Sequence, residues 1–382
     1  MNNRVALLLA TGTIAAVLSL SATPALAHHP IAAKFDEAKP LTMKGRVTDI
    51  NWANPHVHVF INVAGDTGEV VNWAVELAST VELGWSGWSP ESVAVGDLLT
   101  VSGPAARNGS HQLWGNKVQA ANGKTVFTVA DDVFTARLGK INGPIPRWPD
   151  NQPRLGPPSE RRSALGQTGY WAAPSATALV EDGTAVAMDA HGLLAKIADA
   201  PKVAPFQKWS LDLYTLRQRN HLKDDPMFLN CIPPAGPRQF QQPFGLQFVE
   251  ERERGRIFVL LAGGNGNWRF IYTDSRTQIG QVSGNADNPL FYGRAMGKWQ
   301  GDTLVVNSSG FNESFWFSNG GLPHTKQLQL TERFTRRDLN TLHYEVTVND
   351  AGAYTRPWTS SWDLHWVPGQ ELPEYYCQDN RQ

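Results

Sequence analysis

Short β-prone runs separated by turn residues constrain the fold of this chain more than any other feature. From Phe244 onward the runs are divided by Gly, Asp and Asn, as at Gln300-Gly301-Asp302. Several such strands in sequence order are typical of an antiparallel meander that closes into a barrel. We therefore predict an antiparallel, lipocalin-like barrel over residues 207–382. Its expected strands are residues 246–250, 256–262, 268–273, 295–299, 303–308, 326–336, 342–348 and 359–366.

A second, smaller set of β-prone runs precedes this region. It lies within residues 28–135, where Asn54-Pro55 and Val95-Gly96 supply turn residues. Closely spaced short strands of this kind favour a small barrel, closed or partly open, and we predict an OB-like domain. Residues 80–84 are expected to form one helical turn. The expected strands are residues 41–52, 57–61, 70–77, 97–101, 113–119 and 125–129.

The region between the two barrels, residues 136–206, has a different composition. Prolines are dense from residue 139 to residue 158, and proline has no backbone N–H to donate to a strand ladder. We interpret this region as a linker and wrapping segment, with a short helix at 193–198. The following stretch, 207–221, is predicted to be helical because Trp209, Leu213 and Leu216 recur at helical spacing. The expected fold class is mainly β with a few short helices.

The first 27 residues have the pattern of a secretory signal peptide. Arg4 precedes an uncharged apolar run over residues 5–20, and Ala25 and Ala27 are the small residues before the expected cut. A membrane anchor is the alternative, although the run is shorter than the roughly 20 apolar residues that a span needs. We expect a mature chain that begins at His28, is periplasmic or secreted, and has no membrane span after cleavage.

Charge and cysteine content narrow the functional classes further. The formal net charge of -1 argues against a nucleic-acid partner, because such a surface needs an excess of basic residues. The chain contains 2 cysteines. In an oxidising compartment an even count favours a disulfide between Cys231 and Cys377 over two free thiols, which are the alternative.

Two stretches resemble families of bacterial proteins without an established activity. The N-terminal stretch, about residues 28–130, resembles a small exported domain of unknown function. The matching motifs are Ala27-His28-His29, Asn54-Pro55-His56-Val57 and Val71-Asn72-Trp73-Ala74-Val75-Glu76.

The C-terminal stretch, about residues 207–382, resembles an uncharacterised periplasmic domain. The similar domains usually have His-Pro-His where this chain has Leu322-Pro323-His324, so one candidate ligand or acid–base group is missing here. The tail at Glu374-Tyr375-Tyr376-Cys377 also fits, and the resemblance supports the pairing with Cys231. The other matching motifs are Asp225-Pro226, Asn230-Cys231-Ile232-Pro233-Pro234, the run from Gly297 to Val306, Gly310-Phe311-Asn312, Thr331-Glu332-Arg333-Phe334 and Tyr354-Thr355-Arg356-Pro357-Trp358.

Histidines near the expected mature N-terminus suggest a metal site. Cleavage after Ala27 would give His28 a free α-amino group, which can chelate one ion together with its own imidazole, and His29 lies next to it. His56 and His58 are two residues apart on a predicted strand, so both imidazoles project from one face. Nitrogen-rich donor sets suit Cu(II), and we predict copper as the cofactor. In the alternative interpretation these histidines simply face solvent.

A second candidate site lies in the predicted C-terminal barrel, since a barrel of about eight strands can hold one small ligand. His324 and Glu332 are the candidate catalytic residues, because a histidine can act as acid or base near neutral pH. Each residue also has a structural alternative: Glu332 in an ion pair with an arginine, Asn312 in a turn, and Trp358 in the core. The candidate ligand-binding residues are Arg294, Asn312, Trp316, Arg356 and Trp358.

These patterns lead to three functional hypotheses. The first is an exported protein that binds a small molecule in the C-terminal barrel and copper at its mature N-terminus. The second is an enzyme, a lyase, isomerase or hydrolase, which would act on a small hydrophobic or sugar-like substrate through His324 and Glu332. The third is a structural protein of the cell envelope. The sequence contains no G-x-S-x-G, no H-E-x-x-H and no dinucleotide-binding fingerprint.

Overall fold

The computed structural model describes residues 31–65, 67–128, 142–157, 168–174, 178–189, 191–274 and 288–377. The predicted signal peptide, His28 and His29 lie outside these residues. The predicted fold class is confirmed: the chain is mainly β, with a small N-terminal barrel and a larger C-terminal one. Among the helices of the described residues, none is long and apolar enough to cross a membrane.

The N-terminal barrel is OB-like, as predicted, and five strands form it. Its strands pair in the order β1-β2-β3-β5-β4, and β4 pairs with β1 to close the barrel. β3 and β5 are parallel, and the other pairs are antiparallel. The strands are β1 (Phe35–Asn51), β2 (His58–Ala64), β3 (Val70–Glu76), β4 (Leu98–Ala106), β5 (Gln112–Trp114), β6 (Lys117–Ala120) and β7 (Thr125–Thr128), of which β6 and β7 extend the sheet from β4.

Alternating side chains explain how this barrel closes on a core. Val59 and Ile61 of β2 are buried, whereas the alternate residues His58, Phe60 and Asn62 are partly or fully exposed. A short helix, α2 (Thr80–Trp85), follows β3, as predicted. It begins with a capping box in which Ser79 accepts from the backbone N–H of Glu82 and the Glu82 side chain accepts from the backbone N–H of Ser79. The helix buries Leu83 against the barrel core.

The C-terminal barrel closes through nine strands in the order β8 to β16 and back to β8. Most neighbouring strands are antiparallel, but β11 and β12 are parallel through Ile271↔Ala295 and Tyr272↔Met296. A parallel connection needs a crossover of about a dozen residues or more, and the stretch between these two strands is long enough. The strands are β8 (Gly169–Ala172), β9 (Leu246–Glu251), β10 (Arg256–Leu261), β11 (Asn267–Tyr272), β12 (Arg294–Gln300), β13 (Thr303–Ser309), β14 (Gln329–Arg336), β15 (Thr341–Asn349) and β16 (Trp358–Pro368).

The segment predicted as a linker contributes to this barrel. β8 lies within residues 136–206 and joins β16 to β9. The proline-rich part wraps one end of the barrel, where buried Arg336 donates to the carbonyls of Arg154 and Gly156. The helix predicted at 193–198 is absent. A 3-10 helix at Ile197–Lys202 replaces it, and Pro201 within it is unsuited to an α-helix interior.

The long predicted helix is present, but its buried face differs from the one that the apolar spacing suggested. Helix α3 (Lys208–Arg219) exposes 45% of Trp209 and 54% of Leu216. It instead buries Ser210, Tyr214 and Gln218, because Gln218 bonds to loop backbone at Leu194, Gly192 and Gly320. Polar contacts, rather than apolar burial alone, fix this helix. The remaining α-helices are α1 (Ile31–Lys34) and α4 (Pro226–Asn230).

The predicted disulfide between Cys231 and Cys377 is present, with 5.7 Å between the Cα atoms. Both cysteines are buried in a small apolar cluster with Phe244 and Tyr375. Val81 and Trp85, from helix α2 of the N-terminal domain, pack against this cluster. The disulfide therefore lies where the two domains meet.

Candidate functional site

The clearest convergence of polar groups lies on the outer face of the N-terminal barrel, at the end of β3. The register pairs His58 of β2 with Glu76 of β3, and side chains that face each other across a sheet share one face. His56 precedes β2, and its Nδ1 contacts the same carboxylate. The predicted histidine pair is thus brought together, on a carboxylate that the sequence analysis had not singled out.

Glu76 forms a hydrogen bond with His56 and lies close to His58. His56 Nδ1 is 2.5 Å from Glu76 Oε1, and His58 Nε2 is 3.5 Å from Oε2. His58 Nδ1 lies 3.1 Å from the backbone oxygen of His56. Glu76 is only 2% exposed, so these polar contacts replace the hydration that its carboxylate gives up on burial.

The first described residues of the chain reach the same carboxylate. Lys34 of helix α1 places Nζ 2.7 Å from Glu76 Oε2. Arg107 fixes the position of this helix, because its Nε donates to the carbonyl of Ala32 and its backbone N–H donates to the carbonyl of Lys34. Ile31 packs against an apolar cluster that includes Trp114. The segment that immediately follows His28 and His29 is therefore anchored beside the histidine pair.

The described residues supply only part of the ligand set that a metal site needs. Within the described part of the chain, no three His, Cys, Asp or Glu side chains are arranged as a metal site. His56, His58 and Glu76 are instead bonded to one another, and Lys34 supplies the positive charge nearest to the carboxylate. Two imidazoles can contribute nitrogen ligands, so a complete site needs further donors.

Glu332 is buried inside the C-terminal barrel, where its carboxylate is bonded to other buried side chains. Its carboxylate accepts two hydrogen bonds from Arg269, at 3.0 and 2.5 Å. It also accepts from Ser308 and from the hydroxyl of Tyr344. Glu332 and Arg269 are both fully enclosed. This is the ion pair with an arginine that the sequence analysis gave as the alternative, although it forms in the interior instead of on the surface.

His324 lies in a different environment from Glu332, and the two side chains have no hydrogen-bond partner in common. His324 is 8% exposed and stacks near Phe315, with 4.5 Å between the ring centroids. Its Nε2 bonds to the carbonyl of Phe315 at 3.0 Å. Burial lowers the pKa of His324 below its usual value. A buried, neutral imidazole bonded to a backbone carbonyl is typical of a structural histidine.

We expect His324 to make folding sensitive to mild acid. The unfolded chain takes up a proton on this imidazole as pH falls through about 6.5, whereas the folded protein resists it, so stability declines below that pH. His324→Gln should flatten the dependence of the free energy of unfolding on pH between about 5 and 7. Urea unfolding at several pH values measures this slope. His111→Gln, at an exposed position, is the matched control, and equal slopes in both variants would contradict the assignment.

The five candidate ligand-binding residues each have their own bonding or packing partners. Arg356 is exposed and makes a two-point ion pair with Glu181. Asn312 accepts from the backbone N–H of Ser314, which is the predicted turn role. Trp358 is in the core, as its alternative stated. Trp316 is buried under the guanidinium of Arg217, and buried Arg294 donates to the carbonyl of Asn288.

The interior of the C-terminal barrel is filled by protein side chains. All residues of the 3-10 helix at Gly236–Gln241 are buried. Phe240 of this helix packs against Phe334 and Tyr344, at ring-centroid distances of 5.2 and 4.5 Å. The described residues also line a surface cleft near Arg254 and Trp299, and none of the predicted site residues lines it. The predicted small-molecule site inside the barrel has no support from this packing.

Comparison with known proteins gives a family match for the N-terminal domain. The model of DUF6152, a family of unknown function, matches residues 16–114. This agrees with the resemblance of that stretch to an uncharacterised domain, and the resemblance of the C-terminal stretch stays a prediction. No curated protein has a significant match to the chain, and no solved structure has one.

Proposed function

We propose that this is an exported, periplasmic copper-binding protein whose site is formed by the mature N-terminus and the outer face of the OB-like barrel. The observation that carries the proposal is the convergence of His56 and His58 on buried Glu76, next to helix α1. Three residues of extended chain span up to about 11 Å. Ile31, three residues after His28 in the sequence, packs against the cluster of Trp114, whose ring contacts His56.

The proposed ligands are chemically consistent with Cu(II). The α-amino group and imidazole of His28 would form a chelate, and His29, His56 and His58 would offer further imidazoles. Cu(II) has the highest affinity for nitrogen donors among the divalent first-row metals. Pro30 has no N–H, so deprotonated backbone amides cannot extend the chelate beyond it. The described residues supply only part of a metal-binding site, and this proposal assigns the remaining metal ligands to the mature N-terminus.

Export is a premise of the proposal. The signal-like pattern of residues 1–27 supports it, and so does the disulfide, since such bonds persist mainly in oxidising compartments. In this proposal the C-terminal barrel has a structural role, as its filled interior suggests. No observation favours catalysis by His324 and Glu332, because their bonding partners hold them in separate environments.

The test is to measure Cu(II) binding to mature protein whose N-terminus has been confirmed by sequencing. We expect one Cu(II) per chain. Acetylation of the α-amino group of the mature chain removes the six-membered chelate that this amine forms with the His28 imidazole and should weaken the affinity by more than about tenfold, equivalent to 1.4 kcal/mol. Competition titration against a chelator of known affinity measures the change. Protein taken through the same treatment without the acetyl donor is the control. Equal affinity with and without the acetyl group would refute the chelate.

A further inference from the structure

We infer that the interior of the C-terminal barrel binds ordered water molecules at Gln239 and Arg269, and that Tyr292 belongs to this hydrated site. The inference concerns the C-terminal barrel alone and is independent of the proposed copper site. It follows from buried polar atoms that have no hydrogen-bond partner within the described part of the chain.

The first observation is the side chain of Gln239. This residue is 1% exposed and belongs to the buried 3-10 helix at Gly236–Gln241. Neither the oxygen nor the nitrogen of its amide has a hydrogen-bond partner among the described residues. An unpaired buried amide is costly, and nearly all buried polar groups in folded proteins bond to protein or to ordered water. Gln239 therefore calls for a partner that both donates and accepts.

The second observation is the guanidinium of Arg269, in the same part of the interior. Its Cζ atom lies 5.8 Å from the ring centre of Phe240, the residue that follows Gln239. Nη1 and Nη2 of Arg269 donate to Glu332. Nε has no partner in the described ranges, although Arg269 is only 2% exposed. An arginine nitrogen can only donate, so the partner of Nε must accept.

The third observation is the hydroxyl of Tyr292, which is also buried without a partner among the residues that the structure describes. Burial raises the pKa of Tyr292, and the positive charge of Arg269 opposes this rise. The hydroxyl and the guanidinium therefore lie within electrostatic reach of each other. Because a hydroxyl can donate or accept, it suits the same kind of partner as Arg269 Nε.

The chemistry of these groups identifies water as the occupant. Glu332 balances the charge of Arg269, with 2.5 Å between Nη2 and Oε2, so a neutral molecule fits the site better than an ion. The occupants have to accept from Arg269 and both donate to and accept from Gln239, and water can do each of these. Phe240 packs 4.5 Å from Tyr344, which favours a molecule as small as water over an organic ligand. Buried waters typically bond to otherwise unpaired polar groups of this kind.

The direct test is ¹⁵N-edited NOESY and ROESY of the full mature protein in water. We expect cross-peaks between bound water and both the Nε–H of Arg269 and the side-chain amide of Gln239. The Nε–H of Arg238 is the matched control, because it donates to Asn319 Oδ1 and Arg238 is similarly buried. It should give no such peak. The absence of water contacts at Arg269 and Gln239 would overturn the inference.

Removal of the Tyr292 hydroxyl tests the site independently. Tyr292→Phe should lower the equilibrium constant for folding by about two- to tenfold, because the hydroxyl loses its bond to water. Tyr376→Phe, at an exposed position, should leave this constant unchanged. Urea unfolding measures both variants. Unchanged or higher stability of Tyr292→Phe would show a hydroxyl buried without a partner and would contradict the inference. The NMR result on the wild-type protein stands even if the variant fails to fold.

Discussion

Replacing Cys231 and Cys377 together with serine should lower the free energy of unfolding by about 2–5 kcal/mol. The disulfide joins residues 146 positions apart, so it removes many conformations from the unfolded chain. Loss of this constraint stabilises the unfolded state relative to the folded one. Urea unfolding under non-reducing conditions, followed by tryptophan fluorescence, measures the difference between the variant and the wild-type protein.

The reductant-treated wild-type protein is the control for this experiment. Since the chain has no other cysteines, reduction should bring the wild-type stability down to that of the double variant and leave the variant unaffected. The effect should also reach the domain contact, because Trp85 of helix α2 packs against the cluster around the disulfide. Equal unfolding midpoints with and without reductant would show that the bond contributes nothing to stability.

Replacing Arg269 with methionine should destabilise the C-terminal barrel by about 3–5 kcal/mol. Arg269 and Glu332 are fully enclosed and bonded at two points. Without the guanidinium, the Glu332 carboxylate would be buried without its counter-charge, which is far more costly than the loss of an exposed pair. The same unfolding assay measures this change.

Two further variants decide whether the effect comes from the buried charge. The double variant Arg269→Met/Glu332→Leu removes both charges and should recover much of the lost stability. Arg333→Met, at the next residue on β14, breaks a partly exposed pair with Glu345 and should change stability by at most about 1 kcal/mol. If Arg269→Met were no worse than Arg333→Met, the buried pair would not be a major contributor to stability.

Local patterns were sufficient to predict most of the fold. Turn residues between short runs predicted most strands of both barrels, and the resemblance of the N-terminal stretch to an uncharacterised domain agrees with the family match over residues 16–114. The parallel pairing of β11 and β12 was missed, because strand direction depends on a crossover and not on the strand itself. β8 was missed because it is only four residues long and lies in a region with the composition of a linker.

The residues of the candidate sites were likewise predicted only in part from the sequence. His56 and His58 were singled out by residue type and spacing, although His56 lies before β2 and not on the strand. Glu76 was overlooked because only the register of β2 and β3 brings it opposite His58. The signal for Glu76 in the sequence was an acidic residue at the end of a predicted strand, and that position does not identify its partner. His324 and Glu332 are residue types that often act in catalysis, but each is bonded to a buried structural partner, His324 to the nearby Phe315 carbonyl and Glu332 to Arg269, 63 positions away.

The sequence by itself determined the fold class, the disulfide partners as the only two cysteines, and the histidines that could bind a metal. Each of these depends on residue type or short-range periodicity, which the chain carries locally. Only the tertiary structure decided that Glu76 joins the two histidines, that Arg269 neutralises Glu332, and that side chains fill the larger barrel. Those outcomes depend on strand register and on packing between residues far apart in sequence, and no local pattern encodes either one.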